Sequence, residues 1–456
     1  MTTNSYNDQA DGRPVQNPAA PPSTRTSSDS IRKTTIASMS GTVIEWFEFN
    51  LFGAMAALVL GPLFFPSDNE LTSLLLSFAT FGVAFIARPI GGILFGHFGD
   101  KYGRKRTLVA ALLLMGIPTF AIGLLPTYAT VGILAPILLV LARIMQGLAL
   151  GGEYAGAALM VVEHRDATNR RGFFGAWIGS ASPIGYILAA SLIAGVSAGM
   201  SEDAFNSWGW RIPFLLSAVM VLVALYIRLQ IEESSAFEKL ATQRPETVEP
   251  TRIPFMILVR EYPRQVFASI GANLAIQSGY YLAVIFGLSY ARNQAGFSST
   301  RSLILVLVAA VFYFFSILAA GRWSDRVGRR VPMTIGAIGF AGWGFAIFPL
   351  IDTGSSLLAG LAFTVALVLQ GLIYGPVSAW MSELFGTEVR YTGVSFGYSI
   401  AAVIGGGITP VLSIWLLDKF DTTVPISAAV AAACAVTVVA LAVTKLRVAH
   451  TDSAIT

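Results

Sequence analysis

This 456-residue chain is poor in cysteine (one), histidine (three) and charge (12% of residues). One cysteine leaves no partner for a disulfide or a thiolate cluster within the chain, and Cys434, inside the last apolar run, reads as a small hydrophobe. His97, His164 and His450 fall in short polar loops or the tail, so no imidazoles converge and neither a metal nor an organic cofactor is expected. No nucleophile–base set and no phosphate-cradling loop is apparent, which argues against an enzyme. The charged share is roughly half that of a soluble domain, so water is not the main solvent. The formal charge of +4 reflects where topology puts Lys and Arg rather than an anionic partner, and no nucleic-acid binding is expected.

Long hydrophobic runs take the place of charge. Hydrophobic residues make up 54% of the chain. Apolar stretches long enough to cross roughly 30 Å of hydrocarbon recur from position 36 onward. They predict twelve spans over 37–63, 71–95, 107–125, 131–160, 173–198, 211–230, 265–290, 302–321, 332–351, 356–382, 393–417 and 424–445. Lys101, Arg104, Lys105, Arg106, Arg165, Arg170, Arg171, Arg326, Arg329 and Arg330 crowd the even-numbered loops, which puts those loops and both termini in the cytoplasm. Residues 1–33 are polar, lack the apolar core of a signal peptide and read as a disordered tail. Six-helix halves are expected over 34–231 and 263–446, joined by a polar linker over 232–262, with a short tail over 447–456.

The two halves are copies. Gly-His-Phe-Gly-Asp-Lys-Tyr-Gly-Arg-Lys-Arg at 96–106 returns as Gly-Arg-Trp-Ser-Asp-Arg-Val-Gly-Arg-Arg-Val at 321–331, each wedged between apolar runs. Duplicated halves of this kind point to a transporter, in which one half moves against the other.

An ionisable group at mid-bilayer costs at least about 2.5–3.5 kcal/mol, so each one in a span needs a reason. Glu45 and Glu48 in the first span sit three residues apart, on one helix face, where a carboxylate pair in low dielectric can bind and release a proton. The structural alternative is that one of them pairs with an arginine and holds helices together. In the fourth span Arg143-Ile-Met-Gln146-Gly147 is followed by Gly151-Gly152-Glu153 and Gly156. Arg143 is the candidate for a solute carboxylate, with Glu153 tuning it; its alternative is a permanent ion pair with Glu153 or Glu48. The glycines read as a stripe for close helix packing. The tenth span repeats Gln370-Gly371-Leu372 and Gly375, but Leu367 replaces the arginine, so the charges are one-sided. Asn273, Gln277, Tyr280 and Tyr281 in the seventh span, with Gln146, Tyr186, Tyr374, Tyr313 and Tyr398, offer neutral groups for hydroxyl or carbonyl oxygens. Arg88, before Pro89, is assigned to the cytoplasmic network.

The repeated loops also suggest a cytoplasmic gate. Asp100 and Asp325 are expected to cap the third and ninth helices, with Arg104 and Arg329 beside them. Glu163 with Arg170, and Glu383 with Arg390, share a seven-residue separation and read as one acid–base pair in each half.

These loops resemble the signature loop of the major facilitator superfamily, and the match occurs twice. Gly41-Thr-Val-Ile-Glu45-Trp46-Phe47-Glu48-Phe49, Ala87-Arg88-Pro89-Ile-Gly-Gly, and Arg143 through Glu153 resemble the metabolite:proton symporters, whose members carry shikimate, alpha-ketoglutarate, citrate or proline/betaine. The resemblance runs from about Thr34 to about Arg447. It implies an all-α membrane protein of twelve transmembrane helices in two pseudo-symmetric six-helix bundles, solute uptake driven by a proton gradient, and a rocker-switch cycle. Glu48 stands where the family usually has aspartate. Tyr281 to Tyr290 and Gly405-Gly-Gly-Ile-Thr-Pro410 look most like the shikimate-type branch, and with about eleven residues after Lys445 the long coiled coil of the osmosensing betaine carriers is not expected.

The expectation is therefore a multi-pass transporter of the bacterial cytoplasmic membrane, functional as a monomer. It would import a shikimate-like or other mono- or dicarboxylate with protons by alternating access. Three rivals stand beside it: a proton-antiport exporter of a hydrophobic or cationic compound, a proline/betaine-type symporter, and a receptor that binds a metabolite without moving it.

Overall fold

A computed structural model describes residues 27–102, 104–151, 153–163, 167, 169–230, 254–386 and 389–444, with the side chains of 27–30, 33, 34, 37, 96–108, 224, 227, 228, 230 and 254 outside the description. Among the described residues every regular element is a helix. Twelve are numbered here: α1 (Ser38–Phe64), α2 (Glu70–Phe95), α3 (Arg104–Leu124), α4 (Leu134–Val162), α5 (Arg171–Ala198), α6 (Arg211–Gln230), α7 (Pro263–Asn293), α8 (Ser299–Val327), α9 (Arg330–Asp352), α10 (Ser356–Leu384), α11 (Arg390–Phe420) and α12 (Val424–Val443). Ten are long and apolar enough to cross a membrane alone. The exceptions are α3, whose described apolar stretch is Val109–Leu124, and α6, set at 55° to the preceding Glu202–Gly209.

Two boundaries differ from the sequence reading. Helix begins at Ser27, inside the predicted tail, because the polar residues ahead of the apolar run can continue the same backbone hydrogen bonds. The last part of the predicted 232–262 linker is a helix, Pro254–Glu261, whose Leu258 is buried and whose Phe255 packs on Phe396 of α11. Residues 1–26, 231–253 and 445–456 lie outside the described residues, so neither tail tests the expected orientation.

Which helices line the centre follows from burial. The apolar windows of α1 and α7 are 89% and 94% buried, whereas those of α9 and α12 are 39% buried and turn large side chains outward. Small residues set the approach: a Cβ on Gly147 of α4 would lie 2.2 Å from the Ala84 carbonyl oxygen of α2, and one on Gly151 would lie 2.3 Å from that of Arg88. The glycine stripe read in α4 is thus a backbone contact with α2. The tenth helix repeats the device, with Gly375 against the Ile317 carbonyl of α8 at 2.4 Å. The halves meet where α5 packs on α8 and α10, and where α11 packs on α2 and α4.

The helices are not regular throughout. Wider π-type turns interrupt α1 at Ala56–Leu60, α7 at Leu282–Phe286 and α11 at Ala402–Gly407, and α5 breaks between Gly179 and Ala181. The interruptions of α1 and α7, and of α5 and α11, fall at corresponding places in the two halves. Such turns loosen the backbone ladder locally and are frequent at functional sites.

Candidate translocation site

A ring of side chains closes around the molecular centre. Trp46 of α1 meets Tyr280 of α7 edge-on at 5.7 Å between ring centres, Tyr280 meets Tyr313 of α8 at 6.0 Å, and Tyr313 stacks with Tyr374 of α10 at 6.5 Å. Tyr374 stacks with Tyr154 of α4, which stacks on Tyr398 of α11 at 4.2 Å. The Arg88 guanidinium of α2 covers Tyr398 at 5.0 Å, and its Nη2 lies 3.5 Å from Oε1 of Glu45, one residue before Trp46. Inside is a cleft lined by Trp46, Ser182, Ile276, Gln277, Tyr280, Tyr313, Tyr374 and Tyr398, with room for about one water molecule.

Of the residues expected to offer groups to the solute, Gln277, Tyr280, Tyr313, Tyr374 and Tyr398 line this cleft. The others stand elsewhere in this state. Asn273 donates to the Ser269 carbonyl and to Met381 Sδ. Tyr186 is buried with its hydroxyl unpartnered. Tyr281 packs among Phe49, Phe81 and Phe85.

Arg143 is fully buried and holds no described carboxylate. Its Nη1 donates to Oε1 of Gln146 at 2.7 Å, its Nη2 donates to the Phe81 carbonyl at 3.1 Å, and its guanidinium lies 4.0–5.3 Å from the ring centres of Phe49, Phe52 and Phe81. Neither of the ion pairs weighed from sequence forms. Backbone and amide oxygens with aromatic faces replace them, because ring quadrupoles attract a desolvated cation. Those rings also stand beside the guanidinium on the side of α1 and α2.

The two first-helix acids part company. Glu45 is ion-paired with Arg88, both side chains about 5% exposed. Arg88 therefore belongs to the centre and not to the cytoplasmic network, because Pro89 lies inside a continuous α2 and not at a loop. Glu48 is fully buried; its Oε2 accepts from the Thr119 hydroxyl of α3 at 3.0 Å, and its Oε1 has no hydrogen-bond partner. Glu153 is buried where the second segment of α4 begins. Thr119 and Arg88 were not singled out as site residues from sequence, although Thr119 is the one polar side chain in Val109–Leu124.

Both mouths are closed. On the face that the basic loops assign to the cytoplasm, Asp325 lies in the last turn of α8, not ahead of α9 as expected. Its carboxylate accepts from the backbone N–H groups of Gly172 and Phe173, 2.8 and 2.9 Å away, capping the N-terminus of α5 in the other half. Gly328 follows at φ +87°, a conformation that suits glycine at this turn. Neither acid–base pair forms as expected: Arg390 of the second half binds Glu163 of the first at 2.6 Å, and within the second half Arg329 bridges Asp325 and Glu383. Arg170 is exposed, and the side chains of Asp100 and Arg104 lie outside the described residues, as do those of His97, His164 and His450. On the opposite face Arg292 of α7 donates to the Leu58 carbonyl in the π-type turn of α1 and lies 3.6 Å from Glu202, while Ser197 and Thr300 meet at 3.1 Å. In the middle Tyr280 donates to Asn50 Oδ1 at 2.9 Å, joining α7 to α1.

Comparison with known proteins agrees with this architecture. Residues 39–401 match the family model described as Major Facilitator Superfamily. An inner membrane metabolite transport protein of Escherichia coli (strain K12) is 39% identical over 399 residues, covering 86% of this chain and 89% of that one. The shikimate transporter of the same strain is 35% identical, covering 85% and 88% of the two chains. The proline/betaine transporter of Salmonella typhimurium is 33% identical, covering 85% and 78%. Among solved structures, the partially occluded inward-open xylose transporter of E. coli superposes with a TM-score of 0.70 at 17% identity, covering 91% and 97%. That likeness shows the same fold: twelve helices in two six-helix bundles.

Proposed function

The chain belongs to the major facilitator superfamily as a multi-pass membrane transporter and not an enzyme, and from that premise we propose that it imports a small organic acid together with protons. Its membrane would be the bacterial inner membrane, and the cycle alternating access. The observation that carries the reading is Glu48, a wholly buried carboxylate with no ion pair to a described cation, two residues after Trp46 of the cleft and tied through Thr119 and Gln146 to Arg143. A carboxylate so placed is a site for a proton that must be released before the cycle reverses.

In this reading Tyr280, Tyr313, Tyr374, Tyr398, Gln277 and Ser182 recognise the hydroxyl and carbonyl oxygens of the solute. Arg88 is the first guanidinium the solute carboxylate meets, because it lies over the Tyr398 ring at the cleft edge. Binding would exchange Arg88 from Glu45 to the solute, and the released Glu45 would join Glu48 in carrying protons. Arg143 holds Glu48 through the hydrogen-bonded chain, and Glu153, ten residues further along α4, is not among its partners.

The test is uptake into proteoliposomes with an acidic exterior and labelled shikimate. Accumulation above equilibrium that collapses when a protonophore is added is the expected result. Uptake indifferent to the proton gradient would refute the coupling. One observation favours a second reading: the cleft is lined mainly by aromatic rings, which suit a quaternary ammonium group as well as hydroxyls. Were labelled glycine betaine accumulated and unlabelled shikimate unable to compete, the solute would be a zwitterion of the proline/betaine type. Loss of a cationic dye, with no acid accumulated, would indicate an exporter.

A further inference from the structure

The hydrogen bonds between Arg143 and Glu48 run in one direction, and the middle member has a choice of acceptor. Arginine only donates, so the Gln146 atom 2.7 Å from Nη1 of Arg143 must be its oxygen, and the amide nitrogen then faces Thr119. Gln146 Nε2 donates to Thr119 Oγ1 at 2.7 Å. The Thr119 hydroxyl has one proton and two acceptors: Oε2 of Glu48 at 3.0 Å, and the Met115 carbonyl one turn back on its own helix at 2.9 Å. All of these groups are buried.

We propose that Thr119 is a positioning residue that reports the charge on Glu48, tethering α1 to α3 and α4 when Glu48 is ionised and letting go when it is protonated. This deepens the proton-coupling reading above and rests on it. A carboxylate oxygen is a much stronger acceptor than a carbonyl, so ionised Glu48 draws the Thr119 proton and completes a chain polarised from Arg143. When a proton arrives on Glu48, Oε1 is the oxygen free to take it, since Oε2 is engaged. What remains at Oε2 is a neutral carboxyl, and the hydroxyl turns to the Met115 carbonyl without leaving its rotamer. The Thr119 hydroxyl stays satisfied by the Met115 carbonyl, while the only described hydrogen bond between the Glu48 carboxylate and another helix is lost. α1 is then released while Arg143 and Gln146 stay put.

Ionisable groups with described side chains on the helices packed against α1 are Glu70 and Arg88 on α2, Arg143, Glu153 and Tyr154 on α4, Arg171 and Tyr186 on α5, Arg211 and Tyr226 on α6, and Arg264, Tyr280, Tyr281, Tyr290 and Arg292 on α7. Described α3 contributes none, and on α1 itself Glu45 is the charge that acts on Glu48. None of them replaces the hydroxyl, so removing it should show in the pH profile.

Thr119→Val keeps the shape and removes the hydroxyl, while Thr119→Ser retains it. A hydrogen bond to a charged group favours the ionised form, so its loss makes Glu48 keep its proton to more alkaline pH. The midpoint of proton-driven shikimate uptake in proteoliposomes should therefore move upward by about one to two pH units in Thr119→Val and return to the wild-type value in Thr119→Ser. A profile for Thr119→Val that coincides with wild type would overturn the proposal while leaving proton coupling intact. Wild-type uptake with no pH dependence would instead remove the reading on which it rests. Should Thr119→Val not transport, the carboxyl C=O infrared band of Glu48, assigned by its disappearance in Glu48→Gln, gives the same titration on purified protein. An unshifted band in Thr119→Val overturns the proposal as surely.

Discussion

Arg143 shows what one residue's type reveals and what it hides. That a cation in an apolar run must have a reason was legible from composition, and so was its neighbour Gln146 one turn on. The identity of its partners was not, because helix rotation and packing decide whether a guanidinium meets a carboxylate, a carbonyl or a ring. The planar fork is what serves two oxygens and three rings at once. Arg143→Lys keeps the charge but cannot span them, and should lower proton-driven uptake by roughly tenfold or more at equal membrane protein, a loss on the order of 1.4 kcal/mol of coupling. Uptake equal to wild type in Arg143→Lys would reduce Arg143 to a point charge. The Glu45–Arg88 pair makes a stability prediction. Arg88→Ala strands a buried carboxylate and should destabilise by about 3–5 kcal/mol, whereas Arg88→Gln with Glu45→Gln should cost much less. Thermal unfolding in detergent reads both, and equal losses would mean that the pair carries no net charge interaction.

At the scale of helices, existence was legible and irregularity was not. All twelve predicted spans lie within several residues of observed helices, because the length and apolarity that cross a bilayer are written residue by residue. The glycine stripe of α4 was legible for the same reason. The π-type turns of α1, α7 and α11 were not, since neither length nor apolarity of a run marks where one turn of it widens. Asp325 was seen as a helix cap, but its helix belongs to the other half, a relation no local spacing contains. The stripe can be tested directly. With the Ala84 carbonyl 2.2 Å from where a Cβ would stand, Gly147→Val should force α2 and α4 apart and cost on the order of 1–3 kcal/mol or more. Gly195→Val, where nothing lies within 4 Å of the added Cβ, is the control. Equal yields of folded protein for the two would show that α4 does not depend on the contact.

For the whole molecule, the repeat in the sequence predicts two halves, and the structure joins them by two sets of contacts at opposite faces. Asp325 with Arg390–Glu163 closes one mouth, and Arg292 on the Leu58 carbonyl closes the other. Weakening them should bias the molecule in opposite directions. A cysteine at Ser182 in the cleft reports this against a low background, because Cys434 is buried. An impermeant maleimide should label it faster from the cytoplasmic face after Asp325→Asn, and faster from the outer face after Arg292→Ala. The same sidedness for both would refute paired gates. The central claim is that Glu48 carries the proton that drives solute inward, and one pair of assays on Glu48→Gln tests it. With this permanently neutral side chain, exchange of labelled for unlabelled shikimate across proteoliposomes should persist near the wild-type rate, while accumulation driven by an acidic exterior should fall to equilibrium. Gradient-driven accumulation at the wild-type level in Glu48→Gln would contradict the account.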